Sequence, residues 1–250
     1  MTFVEKLEKR IAAVGSNLCV GLDVRAEDAS EATERWIVDV IEQTAPFAAA
    51  FKPNSAYFEA LGWEGMRMLE RVMKAIPSDI PTVLDVKRGD IGATQGYYAK
   101  ACFDRLGADS VTLNAYMGRD TLEPFLEYAD KGIYLLGVTS NPGAVDIELQ
   151  SVGDRHVFEL VADMTEASSQ VGLVLGLTNA SVEVLPRVPD VPLLIPGLGA
   201  QGGDLDALKG TDRKAPLLVN VSRGVLYAKD ELTFAQRAEF WRDEIRKALA

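Results

Sequence analysis

The sequence predicts an α/β fold: a (β/α)8 TIM barrel with an additional N-terminal helix. Three observations carry that expectation. Short runs rich in Val, Ile and Leu alternate with longer amphipathic stretches along the chain, and strict strand–helix alternation is the pattern of α/β proteins. The runs are close to continuously apolar, as strands covered on both faces by helices are. Eight such runs fit within 250 residues, the usual size of a barrel of eight βα units. A doubly wound open sheet is the alternative, weakened because no G-x-G-x-x-G turn follows the first run.

Taken in order, an amphipathic helix over Phe3–Val14 opens the chain. LCVGLDV (18–24) is the first strand, followed by a helix over Ser30–Phe47. AAAFKP (48–53) is the second, followed by a helix over Gly62–Ile76. TVLDVK (82–87) is the third, with a helix over Thr94–Leu106. SVTLNAY (110–116) is the fourth, with a helix over Arg119–Tyr128. GIYLLGVTS (132–140) is the fifth, with a helix over Asp154–Gln170. VGLVLGLT (171–178) and PLLIPGL (192–198) are the sixth and seventh, with short helices over Ser181–Leu185 and Gly203–Lys209. PLLVNVS (216–222) is the eighth, and a helix over Glu231–Leu249 closes the chain. No linker, repeat or low-complexity segment interrupts this order, so residues 1–250 read as one catalytic domain.

Composition narrows the function. The formal net charge of −11 argues against wrapping nucleic acid or an anionic membrane, although a few converging cations can still hold an anion. Two cysteines and one histidine exclude a disulfide framework and argue against a zinc site. Cys19 and Cys102 read as small buried residues. His156, in a polar stretch that reads as helix, is expected on the surface. The start, MTFVEKLEKR, carries acids and lacks the apolar core of a signal peptide. No apolar run reaches the length of a membrane span. The expected compartment is the cytoplasm, with no membrane and no nucleic-acid partner.

Reactive groups of such a barrel lie at the C-terminal ends of its strands. There the runs end in Asp23, Lys52, Asp85 with Lys87, Ser140 and Arg223. A charge entering a barrel mouth is costly unless paired, so several together suggest a site. In LDVKRGD (84–90), strand alternation puts Asp85 and Lys87 on one face. Gly89 then turns the chain and Asp90 stands in the loop. A purely structural ion pair is the plainer reading, but Lys52 ends the neighbouring strand and can reach the same space. Near the end, PGLGAQGGD (196–204) and SRG (222–224) follow the seventh and eighth strands. Loops there commonly bind phosphate through glycine-freed backbone N–H groups. Arg223 adds a planar charged fork.

In its ordered motifs the chain resembles the orotidine 5′-phosphate decarboxylase family, in the bacterial branch with a longer third-strand signature. The motifs are GLDVR (21–25), FKPNSAYFE (51–59), LDVKRGDIGAT (84–94), LNAYMGRD (113–120), TSNPGA (139–144), PGLGAQGGD and SRG. They span nearly the whole chain. Asp-x-Lys-x-x-Asp alone is less specific, since related sugar-phosphate barrel enzymes carry it.

The resemblance implies cofactor-independent decarboxylation of orotidine 5′-phosphate to uridine 5′-phosphate and CO2, the last step of UMP synthesis. It implies a charge network of Lys52, Asp85, Lys87 and Asp90, with Lys87 as proton donor and Asp90 supplied across a homodimer with shared active sites. Asp23, Lys52, Asp90 and Thr94 would contact ribose hydroxyls. Ser140 and Gln201 would read the pyrimidine. Gln201, Gly202, Gly203 and Arg223 would serve the phosphate. No metal or cofactor is implied. A magnesium-dependent sugar-phosphate lyase or aldolase of the same barrel group stays open as an alternative, as does a Schiff-base aldolase. From a different class, so does a non-catalytic nucleotide-phosphate binding protein.

Overall fold

The computed structural model describes residues 1–176, 178–179, 184–196, 208 and 213–250. Eight parallel strands form one sheet: β1 (Leu18–Leu22), β2 (Ala50–Pro53), β3 (Val83–Arg88), β4 (Ser110–Leu113), β5 (Gly132–Val138), β6 (Val171–Leu175), β7 (Leu193–Ile195) and β8 (Leu217–Val221). Their order is β2-β1-β8-β7-β6-β5-β4-β3. Parallel bridges from Phe51 to Thr82 and from Asn54 to Asp85 join the two outer members. The sheet thus closes on itself, which decides for the barrel over the doubly wound sheet. Nine α-helices are present among the described residues: α1 (Phe3–Val14), α2 (Glu31–Thr44), α3 (Ser55–Glu59), α4 (Gly62–Ala75), α5 (Gly92–Lys100), α6 (Glu123–Leu126), α7 (Val157–Asp163), α8 (Arg223–Leu226) and α9 (Phe234–Leu249).

Side chains alternate along a strand, so each strand feeds two separate cores. Leu18, Val20, Phe51, Leu84, Val111, Ile133 and Val219 point outward into a cluster shared with the surrounding helices. Cys19, Ala50, Val83, Tyr134 and Leu218 point inward and pack together. The added N-terminal helix, α1, seals this inner cluster. Its start is fixed by a capping box between Thr2 and Glu5. Phe3 and Leu7, one turn apart, then face the barrel interior, and the Phe3 ring meets Tyr134 edge-on at 5.9 Å. Gly132 makes this possible, because a Cβ there would lie 2.2 Å from the Phe3 ring.

Two residues further along three of these strands, the inward position changes from apolar to polar. Ala50 gives way to Lys52, Val83 to Asp85 and Leu218 to Asn220, and Thr112 follows Ser110 on β4. The barrel is therefore plugged at one end and lined in part by polar groups toward the other.

Several elements differ from the sequence expectation. The strands are shorter: β1 stops before Asp23 and β5 before Ser140, which places both residues in loops. Arg223 opens α8 rather than ending a strand. The helix expected over Asp154–Gln170 is confined to α7 and a 3-10 turn at Met164–Ala167. Gly153, at φ 67°, turns the chain so that Arg155 and His156 pair antiparallel with Val152 and Ser151. His156 is accordingly half-buried at the surface, its Nδ1 3.1 Å from the Glu159 carboxylate. Apart from Leu208, the helix expected over Gly203–Lys209 lies outside the described residues, as does most of that over Ser181–Leu185.

Candidate active site

Lys52, Asp85 and Lys87 meet at the C-terminal end of the barrel. Lys52 Nζ donates to Asp85 Oδ2 at 2.7 Å, and Lys87 Nζ donates to Oδ1 at 2.5 Å. Thr112 Oγ1 donates to the same Oδ1 at 2.9 Å. Lys52 and Asp85 are buried, whereas the Lys87 side chain is 48% exposed. Burial by itself would raise the Asp85 pKa, but the charges of Lys52 and Lys87 overcome it and hold the carboxyl well below the usual carboxylate range. Burial would likewise lower Lys52, but Asp85 and then Asp23 outweigh it and hold the ammonium above its ordinary value. The pair is ionised throughout the neutral range.

Lys87 reaches Asp85 by a different route from the one strand alternation predicts. Its φ is 46°, a left-handed conformation that costs a non-glycine residue about 1–2 kcal/mol. The register against β4 passes from Leu84↔Val111 to Arg88↔Leu113. Asp85, Val86 and Lys87 thus stand opposite Thr112 alone. This bulge swings the Lys87 ammonium onto the carboxylate while leaving it open to the cavity.

The three charged groups line a cavity of about 480 Å³, together with Asp23, Ser140 and Arg223. Its wall is lopsided. Leu136, Val174 and Leu194, from the consecutive strands β5, β6 and β7, make one side apolar. Asp23 Oδ1, Asn220 Oδ1 and Ser222 Oγ, on or beyond β1 and β8, are buried with no hydrogen-bond partner among the described residues. Buried polar atoms are seldom left so, and these three belong to residues that line the cavity.

The rim is braced from behind. Tyr227 Oη donates to the Asp23 carbonyl at 3.1 Å and accepts from Arg25 N at 2.8 Å. The Glu148 carboxylate accepts from Thr139 N at 2.7 Å. Asn179 Nδ2 donates to the carbonyls of Thr139 and Asn141, each at 2.8 Å, which fixes the loop on either side of Ser140.

Other expected site residues are elsewhere. Asp90 and Thr94 do not line this cavity. The Asp90 carboxylate accepts from Ile91 N at 2.8 Å, and Thr94 is exposed on α5. Gln201, Gly202 and Gly203, with the rest of the glycine-rich loop after Pro196, lie outside the described residues. Among the described residues no three of His, Cys, Asp and Glu converge as a metal-ligand set.

Thr112 and Asn220 were missed from the sequence. Both carry a detectable signal: a polar residue at an inward position between outward apolar neighbours, Val111 and Leu113 or Val219 and Val221. They are uncharged, and so draw less notice than a lysine in the same setting.

A family model described as orotidine 5′-phosphate decarboxylase / HUMPS family matches residues 16–238. An orotidine 5′-phosphate decarboxylase of Janthinobacterium sp. (strain Marseille) is 42% identical over 268 aligned residues, covering 100% of this chain and 98% of its own. Another, from Dehalococcoides mccartyi, is 41% identical over 263 aligned residues, covering 100% of this chain and 97% of its own. Among solved structures, an OMP decarboxylase of Leishmania donovani superposes with a TM-score of 0.90 at 41% identity, covering 100% of this chain and 99% of that one.

Proposed function

The chain belongs to the orotidine 5′-phosphate decarboxylase / HUMPS family, and we propose that it converts orotidine 5′-phosphate to uridine 5′-phosphate and CO2, with residues 1–250 acting as one catalytic unit. The observation that carries this reading is the Lys52–Asp85–Lys87 array, three ionised side chains joined at the mouth of a barrel. The two curated relatives, matched over nearly their whole length, are named for this decarboxylation and not for the sugar-phosphate lyase alternative.

The chemistry asks for such an array. Breaking the bond between C6 of the pyrimidine and its carboxylate leaves the electron pair in the ring plane, where no carbonyl accepts it. Stabilisation then falls to fixed charges around the ring. The Lys87 ammonium supplies a positive charge beside C6 and transfers a proton from Nζ to it as CO2 departs; the resulting amine regains a proton from solvent. Asp85, kept ionised by its two lysines, repels the substrate carboxylate, and that repulsion vanishes as neutral CO2 forms. The apolar side formed by Leu136, Val174 and Leu194 suits an uncharged product and keeps the local dielectric low. Asp23 meets the ribose, Ser140 the pyrimidine, and Arg223 the phosphate. Gln201, Gly202 and Gly203 complete the pyrimidine and phosphate contacts. The phosphate lies far from the bond broken, so its binding energy serves to hold the ring in place.

The working unit is a homodimer in which Asp90 and Thr94 serve the partner's site. Two observations support this. Neither residue lines the cavity of its own chain. Beside them, Ile91, Tyr97, Tyr116 and Met117 expose large apolar side chains, a combination that association with a second copy would cover. The reaction belongs to the cytoplasm, and no helix among the described residues is long and apolar enough to cross a membrane.

The decisive test is absorbance turnover of orotidine 5′-phosphate before and after dialysis against a strong chelator. Equal activity in both samples is expected. Activity that is lost and then restored by Mg2+ would favour the lyase alternative, and binding without turnover would favour the nucleotide-phosphate binder.

A further inference from the structure

We propose that Thr112 is a positioning residue for the proton transfer, one side chain that holds both the Asp85 carboxylate and the bulge presenting Lys87. The inference rests on the decarboxylase reading and deepens it.

The register isolates Thr112. Between the pairs Leu84↔Val111 and Arg88↔Leu113 it alone faces Asp85, Val86 and Lys87. Successive N–H groups of a regular strand point to opposite sides. Here Val86 N and Lys87 N both donate to Thr112 Oγ1, at 3.1 and 3.0 Å. The hydroxyl stands in for the ladder acceptors that the bulge has lost.

Its hydrogen-bonding capacity is then fully used. A hydroxyl has one proton and two lone pairs. Two of its three partners are N–H groups and take the lone pairs. The proton therefore has only one direction left, toward Asp85 Oδ1 at 2.9 Å. That same oxygen receives Lys87 Nζ. One atom, 2% exposed on its residue, thus fixes the rotation of the carboxylate and the backbone conformation of the proton donor. The β-branch keeps the side chain in a narrow set of rotamers, which makes the restraint stiff.

Without the hydroxyl, two adjacent N–H groups, one of them buried, lose their acceptor. The left-handed turn at Lys87 loses what holds it, and the ammonium drifts from Asp85. A displacement of about 1 Å at a reacting group can cost about a hundredfold in rate. The product lacks the carboxylate and is gripped through ribose, base and phosphate, so its affinity should be insensitive to the change.

The test compares Thr112→Val, which keeps shape and strand preference, with Thr112→Ser, which keeps the hydroxyl. In dimeric, folded enzyme, valine should lower kcat by about a hundredfold while uridine 5′-phosphate binding stays near that of the parent. Serine should restore most of the rate. If the valine enzyme turns over like the parent, or if serine is as slow as valine, the proposal is wrong. Weakening of product binding in step with kcat would point to a general packing defect and would also overturn it. Should the valine chain fail to fold, Thr112→Cys takes its place, because a thiol is similar in size but a weak donor. A cysteine enzyme as fast as the serine one would then be the overturning result. A parent that does not decarboxylate at all sinks the decarboxylase reading and this proposal with it; failure of the proposal alone leaves an active parent.

Discussion

Lys52 and Lys87 grip opposite oxygens of one carboxylate, yet they differ in what their loss would do. Lys52 is buried, and removing it leaves Asp85 short of a partner inside the barrel. Breaking a buried pair in this way costs about 3–5 kcal/mol, so Lys52→Ala should lower the thermal midpoint clearly. Lys87 is half exposed; Lys87→Ala should leave the midpoint nearly unchanged. It should abolish decarboxylation beyond the roughly 10²–10⁴-fold contributed by a positioned acid, while uridine 5′-phosphate still binds. Activity within about tenfold of the parent would remove Lys87 from the donor role. The two thiols give a second prediction at this scale. Burial pushes Cys19 and Cys102 from the ordinary 9.0 up to about 12. Between those values the folded state binds more protons, so stability present below pH 9.0 is lost as pH rises. At pH 9.5 the loss is on the order of 1 kcal/mol per thiol relative to pH 7. Urea unfolding at the two pH values should show the parent losing more stability than a Cys19→Ala, Cys102→Ala double variant. Equal losses would mean that the thiols are not held protonated.

At the scale of elements, the short helix α8 links substrate grip to barrel. Arg223 opens it and lines the cavity, and Tyr227, just past its end, is bonded to the backbone beside Asp23. Arg223→Ala should weaken uridine 5′-phosphate far more than plain uridine, as calorimetric titration with both ligands would read. Equal weakening of the two would take Arg223 out of the phosphate site. The sequence made the strand cores legible because apolar runs such as Leu18–Val20 and Leu217–Val219 meet helices outside and packed side chains within. It made Lys52 and Asp85 legible because a charge at the end of such a run adds nothing to apolar packing and is costly to bury unpaired. The Lys87 bulge was not legible, since it depends on Thr112, which arrives from another strand 25 residues later. Nor was the Ser151–His156 hairpin, whose two-residue strands are too short for any periodicity to register. The helical pattern over Asp154–Gln170 is real only from Val157, where Phe158 and Ala162 are buried one turn apart.

For the whole molecule, the barrel of one chain gathers Lys52, Asp85 and Lys87 but leaves Asp90 beyond Gly89, bonded to the neighbouring Ile91 amide and outside its own cavity. Gly89 packs closely against the β4 side of the barrel mouth. A Cβ there would come within 3.4 Å of Met117, one of the exposed apolar residues in this region. If a second copy covers that face, each site draws Lys87 from one chain and Asp90 from the other. Complementation reads this directly. Lys87→Ala and Asp90→Ala chains, each inactive as a homodimer, are mixed and allowed to exchange subunits. In a mixed dimer one site collects both lesions. The other pairs the intact Lys87 of the Asp90→Ala chain with the intact Asp90 of the Lys87→Ala chain. Activity should reappear, up to about half that of the parent per mixed dimer, because one of two isologous sites is whole. If Asp90 instead served its own barrel, every site in the mixture would carry one lesion and no activity would return. Differential tags on the two chains separate mixed dimers from parental ones, so a silent mixture can be assigned to the wrong geometry rather than to failed exchange.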